Sequence, residues 1–124
     1  SSMDIAPTIA QYAGVPVPTV HQGRSIVPLV NGEAVDDWRE DVLCEHHFKR
    51  YPNWYSVRNE RFKYAVYYED GPHECLYDLQ EDPDEFVNLW DDPAYADVRF
   101  RLMKQSFDDL AFAVDLGPKQ VTRF

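Results

Sequence analysis

The sequence predicts an α+β fold: a small four-stranded antiparallel sheet packed against a long C-terminal helix, preceded by an N-terminal helix and an irregular connector. Three observations carry this prediction. Residues 54–58 and 62–68 are rich in aromatic and β-branched side chains, and only Asn59-Glu60-Arg61 separates them, as in a tight hairpin. Tyr95, Val98, Leu102, Met103, Phe107 and Leu110 recur at helical spacing behind Asp92-Pro93. Ile5, Ile9, Tyr12 and Ala13 do the same near the start of the chain.

In chain order, the first helix can be capped by Ser2 or Asp4, tolerates Pro7 only in its first turn, and ends where Gly14 can adopt positive φ before a Val-Pro-Val-Pro run. The connector through Gln22-Gly23-Arg24-Ser25, the apolar residues 26–30 and the Asn31-Gly32 turn reads as irregular. Residues 41–46 and 74–79 flank the central hairpin as two further strands, the second entered by the Asp70-Gly71-Pro72 turn. Tyr77-Asp78-Leu79 with Asp82-Pro83 reads as a strand end entering an Asx-type turn, and Glu85 and Asn88 are placed to bond backbone groups nearby. The last helix is expected to start at Asp92-Pro93, run to about Val114 and stop at Gly117-Pro118.

The 124 residues carry 12 Lys and Arg against 22 Asp and Glu, a formal charge of -10. That balance argues against nucleic acid and anionic lipid as partners. No apolar run reaches the roughly 18 residues of a membrane span. Cys44 and Cys75 are too far apart in sequence for a CxxC pair, and two buried free thiols are favoured over a disulfide. Because no leader precedes a complete helix, the sequence is expected to be a piece of a longer chain.

The order of several motifs resembles the C-terminal end of the type I sulfatase family, within the alkaline phosphatase superfamily. Asp4-Ile5-Ala6-Pro7-Thr8 with Ala13-Gly14-Val15-Pro16, then Gln22-Gly23-Arg24-Ser25, are similar to that family's last large-domain helix and its connector. Trp38-Arg39 with Cys44-Glu45-His46 resembles the entry to its small domain, and Arg58-Asn59-Glu60-Arg61-Phe62-Lys63-Tyr64 its hairpin. Glu74-Cys75-Leu76-Tyr77-Asp78-Leu79, followed by Asp82-Pro83-Asp84-Glu85-Phe86-Val87-Asn88-Leu89, resembles the segment after it. The resemblance implies that residues 1–32 are the last helix and connector of the large domain and 33–124 the C-terminal subdomain. It also implies a parent that hydrolyses sulfate monoesters with calcium and a formylglycine made in a C/S-x-P/A-x-R motif. That motif is absent from the sequence, so no catalytic or metal residue is assigned and this part alone is expected to be inactive.

The densest polar cluster is 45–54, and His46, His47, Arg50 and Trp54 are the candidate substrate-binding residues. Arg50 can pair with an anionic substituent and Trp54 can stack on a ring, so a sulfated small molecule or glycan is the expected ligand. The opposing reading is a strand edge packed at a domain boundary. A metal site is disfavoured because adjacent His46 and His47 point to opposite sides of a strand. Arg58, Arg61 and Lys63 read as an exposed strand face paired with carboxylates rather than an anion site. Two alternatives remain: a phosphonate or phosphodiester hydrolase domain of the same superfamily, and a freestanding glycan-binding or interaction module. For the latter, the stripe of Ile5, Ile9 and Tyr12 would be a homo-oligomer contact or a face for the large domain.

Overall fold

The structure, a computed structural model, describes residues 1–17, 21–47 and 53–112. They fall into two compact units, one containing Ser1–Trp38 and the other Arg39–Phe112.

In the first unit a 3-10 turn, Ser2–Asp4, leads into α1 (Ile5–Ala13), and Pro7 lies buried in the first turn of α1 as its missing N–H requires. Gly14 ends the helix at φ 67°, giving its N–H to the Ala10 and Gln11 carbonyls. The capping differs from expectation. Ser1 Oγ accepts from the Met3 N–H, while the buried Asp4 carboxylate accepts the Arg24 N–H at 2.8 Å. Thr8 Oγ1 accepts the Ile26 N–H at 3.1 Å. Gly23 is fixed by contact: a Cβ there would lie 1.9 Å from the Met3 carbonyl oxygen. Arg24 then reaches the Asp37 carboxylate at 2.9 Å and covers the Trp38 ring at 5.1 Å. The two sequence motifs of this unit are therefore halves of one clasp. The connector is less irregular than expected, because Val27–Val30 forms a one-turn helix, α2, whose Val27 N–H is taken by Ser25 Oγ. Ile5, Ile9 and Tyr12 are each more than half exposed.

In the second unit β1 (Asp41–His46), β2 (Asn53–Asn59), β3 (Phe62–Tyr68) and β4 (Pro72–Asp78) form an antiparallel meander in sequence order. β4 begins two residues earlier than expected and ends one earlier. Asn59 makes the two-residue hairpin by accepting the N–H groups of Arg61 and Phe62 at 3.0 and 2.7 Å. Because side chains alternate along a strand, Leu43, Val57, Tyr64 and Leu76 form one row across one face. That face carries the core of Val57, Phe62, Tyr64, Val66 and Leu76, closed by Leu102.

Leu102 belongs to α3 (Ala96–Phe112), which follows a 3-10 turn, Pro93–Tyr95, capped by Asp92; the expected end at Val114 lies outside the described residues. The buried arc of α3 runs through Val98, Leu102 and Ser106, whereas Met103 and Phe107 are exposed, Phe107 by 72 %. At about 100° per residue, Phe107 stands about 140° around the helix from Leu102, too far to share its face.

The other sheet face has a small-residue row, Cys44, Ser56, Ala65 and Cys75. Cys44 and Cys75 are free, and Cys44 is exposed rather than buried. They stand at opposite edges of the sheet, three strand spacings or about 14 Å apart. A disulfide needs Cα atoms within about 7 Å, so the two cannot pair in this fold.

Candidate functional site

The two ends of the sheet hold different chemistry. At the end where β2 turns into β3, Asp78 is 1 % exposed and receives Arg61 Nη2 at 2.8 Å, Arg61 Nε at 3.1 Å and the Gln80 N–H at 3.2 Å. The Arg61 guanidinium, ahead of the backbone donors, holds the Asp78 carboxyl below the usual carboxylate range against the opposing effect of burial. Lys63 pairs with Glu85, which sits at φ 59°. Glu85 thus serves a side-chain ion pair rather than the backbone bond expected of it. Asn88 does bond backbone: its Oδ1 accepts from the Leu76 and Trp90 N–H groups at 2.9 and 3.0 Å, and its Nδ2 donates to the Glu74 carbonyl at 3.1 Å. Asp82 Oδ2 accepts the Val87 N–H at 2.7 Å.

At the opposite end the register aligns His46 with Trp54 and Trp54 with Tyr67. Their rings follow: His46 stacks on Trp54 at 5.8 Å and 13°, and Trp54 tilts against Tyr67 at 6.3 Å. On the other face, the Tyr55 hydroxyl and His47 Nε2 share a hydrogen bond at 3.0 Å, and Tyr55 meets Tyr68 edge-on at 6.1 Å. Glu45 lies 3.8 Å from His47 Nε2. Of the four candidate residues, His46 and Trp54 therefore meet, His47 faces the opposite side as strand alternation predicts, and Arg50 lies outside the described residues. Tyr55, Tyr67 and Tyr68 join them. Sequence reading placed all three on strands without bringing them to the site, although the register of the 54–58 and 62–68 runs was the signal that could have found them.

Among the described residues, no three His, Cys, Asp or Glu side chains gather so as to hold a metal ion. His73 faces Tyr67 from the far edge strand, about 14 Å from the His46 position, so the two could not share one ion. A separate cleft of about 740 Å³ is lined by Arg39, Asp41, Glu60, Arg61, Arg101 and Gln105 among others. Its charges are mixed. Burial, then the Asp109 and Glu40 carboxylates, push Asp41 above the usual carboxylate range.

Residues 1–111 match the family described as N-sulphoglucosamine sulphohydrolase, C-terminal. The chain belongs to this sulfatase C-terminal family. An N-acetylglucosamine-6-O-sulfatase of Bacteroides thetaiotaomicron is 33 % identical over 112 residues, covering 83 % of this chain and 20 % of that protein. A solved structure of a protein in complex with its substrate D-glucosamine-2-N,6-O-disulfate superposes with a TM-score of 0.83 at 27 % identity, over 96 % of this chain and 25 % of that one. The phosphonate monoester hydrolase of Silicibacter pomeroyi superposes with a TM-score of 0.77 at 28 % identity, over 91 % and 25 %. The chain thus spans a fifth to a quarter of the length of these sulfatase-superfamily relatives. No helix among the described residues is long and apolar enough to cross a membrane.

Proposed function

We propose that this chain is the C-terminal part of a sulfuric ester hydrolase acting on sulfate monoesters, and that the His46–Trp54 end of its sheet lines one rim of the substrate cleft. In this reading residues 1–32 complete the large domain and 33–124 form the subdomain that packs on it, with Ile5, Ile9 and Tyr12 of α1 covered by that large domain. The chain alone turns over no substrate. In this reading calcium and formylglycine are held by residues outside this chain, whose sequence carries no C/S-x-P/A-x-R motif. Calcium would supply charge to hold the sulfate, and formylglycine the nucleophile.

The observation that carries the rim assignment is the contrast between the two ends of the sheet. Around Asp78 the polar side chains bond one another and the backbone, while His46, His47 and Trp54 keep partly exposed rings at the other end. Imidazole and indole rings with Arg50 nearby in sequence suit a sulfated sugar, the class of molecule for which the Bacteroides thetaiotaomicron sulfatase is named and which the solved structure above holds as its substrate. The likeness to a phosphonate monoester hydrolase favours a second reading in which the parent cleaves phosphonate or phosphate diesters. One measurement separates them: the full-length protein should release sulfate from glucosamine 6-sulfate or p-nitrophenyl sulfate faster than it cleaves p-nitrophenyl phenylphosphonate. The reverse preference would replace the sulfatase reading with the second. A C/S-x-P/A-x-R motif in the coding sequence upstream of Ser1 would support either hydrolase over a freestanding binding module.

A further inference from the structure

We infer that Tyr67 is a positioning residue for the substrate-facing pair His46 and Trp54; this rests on the rim assignment above. Strand order puts His46 and Tyr67 on opposite sides of Trp54, so the indole is braced from β1 by the imidazole and from β3 by the phenol ring. Among the described residues no other ring on that face is paired with Trp54. One row inward the same face carries Cys44, Ser56, Ala65 and Cys75, all too small to reach a ring standing on the neighbouring row. Without the Tyr67 ring, Trp54 loses its β3 brace and regains rotamer freedom that binding must then restrict. The contact is between rings, with centroids 6.3 Å apart. Tyr67 is itself 37 % exposed, so its substitution leaves the core opposite untouched.

The test uses the full-length protein with glucosamine 6-sulfate and compares four variants: Trp54→Ala, Tyr67→Leu, Tyr67→Ala and Tyr67→Phe. The expected result is a KM about three- to tenfold higher for Trp54→Ala and for both ring-removing Tyr67 variants, with kcat unchanged, and wild-type values for Tyr67→Phe. Tyr67→Leu keeps apolar bulk on the strand, so one variant reports even if Tyr67→Ala does not fold. If Trp54→Ala raises KM while Tyr67→Leu does not, the positioning role is wrong and the rim assignment stands. If Tyr67→Phe is as impaired as Tyr67→Leu, the hydroxyl contacts substrate and the bracing role is wrong. An unchanged KM for Trp54→Ala would overturn the rim assignment and this inference with it.

Discussion

The Asp78 end of the sheet and the His46 end are built from the same four strands, yet the first is dominated by side chain to backbone bonds and ion pairs and the second by ring contacts. Asp78, Asn59, Asn88, Glu85 and Asp82 each bond a neighbouring backbone group or cation, and the hairpin motif and the segment after it, two of those that resemble the family, lie among them. The His46 end gathers imidazole, indole and phenol rings on both faces; among its described residues it carries ring contacts, a hydroxyl–imidazole bond and Glu45 beside His47. The difference teaches that the hairpin and following-loop motifs of the family record how one end of the sheet folds, whereas the rings at the other end are, in the proposed function, the ones that meet substrate.

Substitutions should break this comparison unequally. Asp78→Ala removes the acceptor of Arg61 and of the Gln80 N–H, and is expected to cost about 2–3 kcal/mol in a denaturant melt of the full-length protein. Because the folded pKa of Asp78 lies below its unfolded value, its contribution is present above the ordinary carboxylate value of about 3.9 and is lost as the pH falls through the folded value. Asp78→Asn should therefore flatten the acid limb of stability against pH. A limb of unchanged slope would show that Arg61 does not stabilise the ionised form. Asn88→Ala, which frees two N–H groups and one carbonyl, should cost about 1–2 kcal/mol by the same melt.

At the other end, Trp54→Ala removes cross-strand ring contacts to His46 and Tyr67, worth about 1 kcal/mol or less, so a loss as large as that of Asp78→Ala would erase the distinction between the ends. The smallest effect concerns Asp41, whose raised pKa makes its charge unfavourable in the fold at neutral pH. Asp41→Asn should stabilise slightly there, and the gain should shrink as the pH falls below the raised value and vanish below the ordinary carboxylate value, where Asp41 is protonated in both folded and unfolded chains. A destabilised Asp41→Asn at neutral pH would contradict that assignment.

The sheet was legible because alternation and aromatic density are local signals, and strands β1 and β3 fall where those signals place them. The one-turn helix α2 was not, since four residues of apolar sequence with a proline at its second position carry no period. Met103 and Phe107 were misplaced because an amphipathic stripe drawn from hydrophobicity alone is wider than the arc that a four-stranded sheet can cover. The bracing of Trp54 was invisible for a different reason: contact between β2 and β3 depends on register, which the hairpin turn sets and no single strand reveals.

The most direct test of this contrast measures melting temperature and KM for glucosamine 6-sulfate side by side in full-length Asn88→Ala and Trp54→Ala. The account predicts a lowered melting temperature with unchanged KM for Asn88→Ala, and a nearly retained melting temperature with raised KM for Trp54→Ala. A raised KM in Asn88→Ala together with an unchanged one in Trp54→Ala would contradict it.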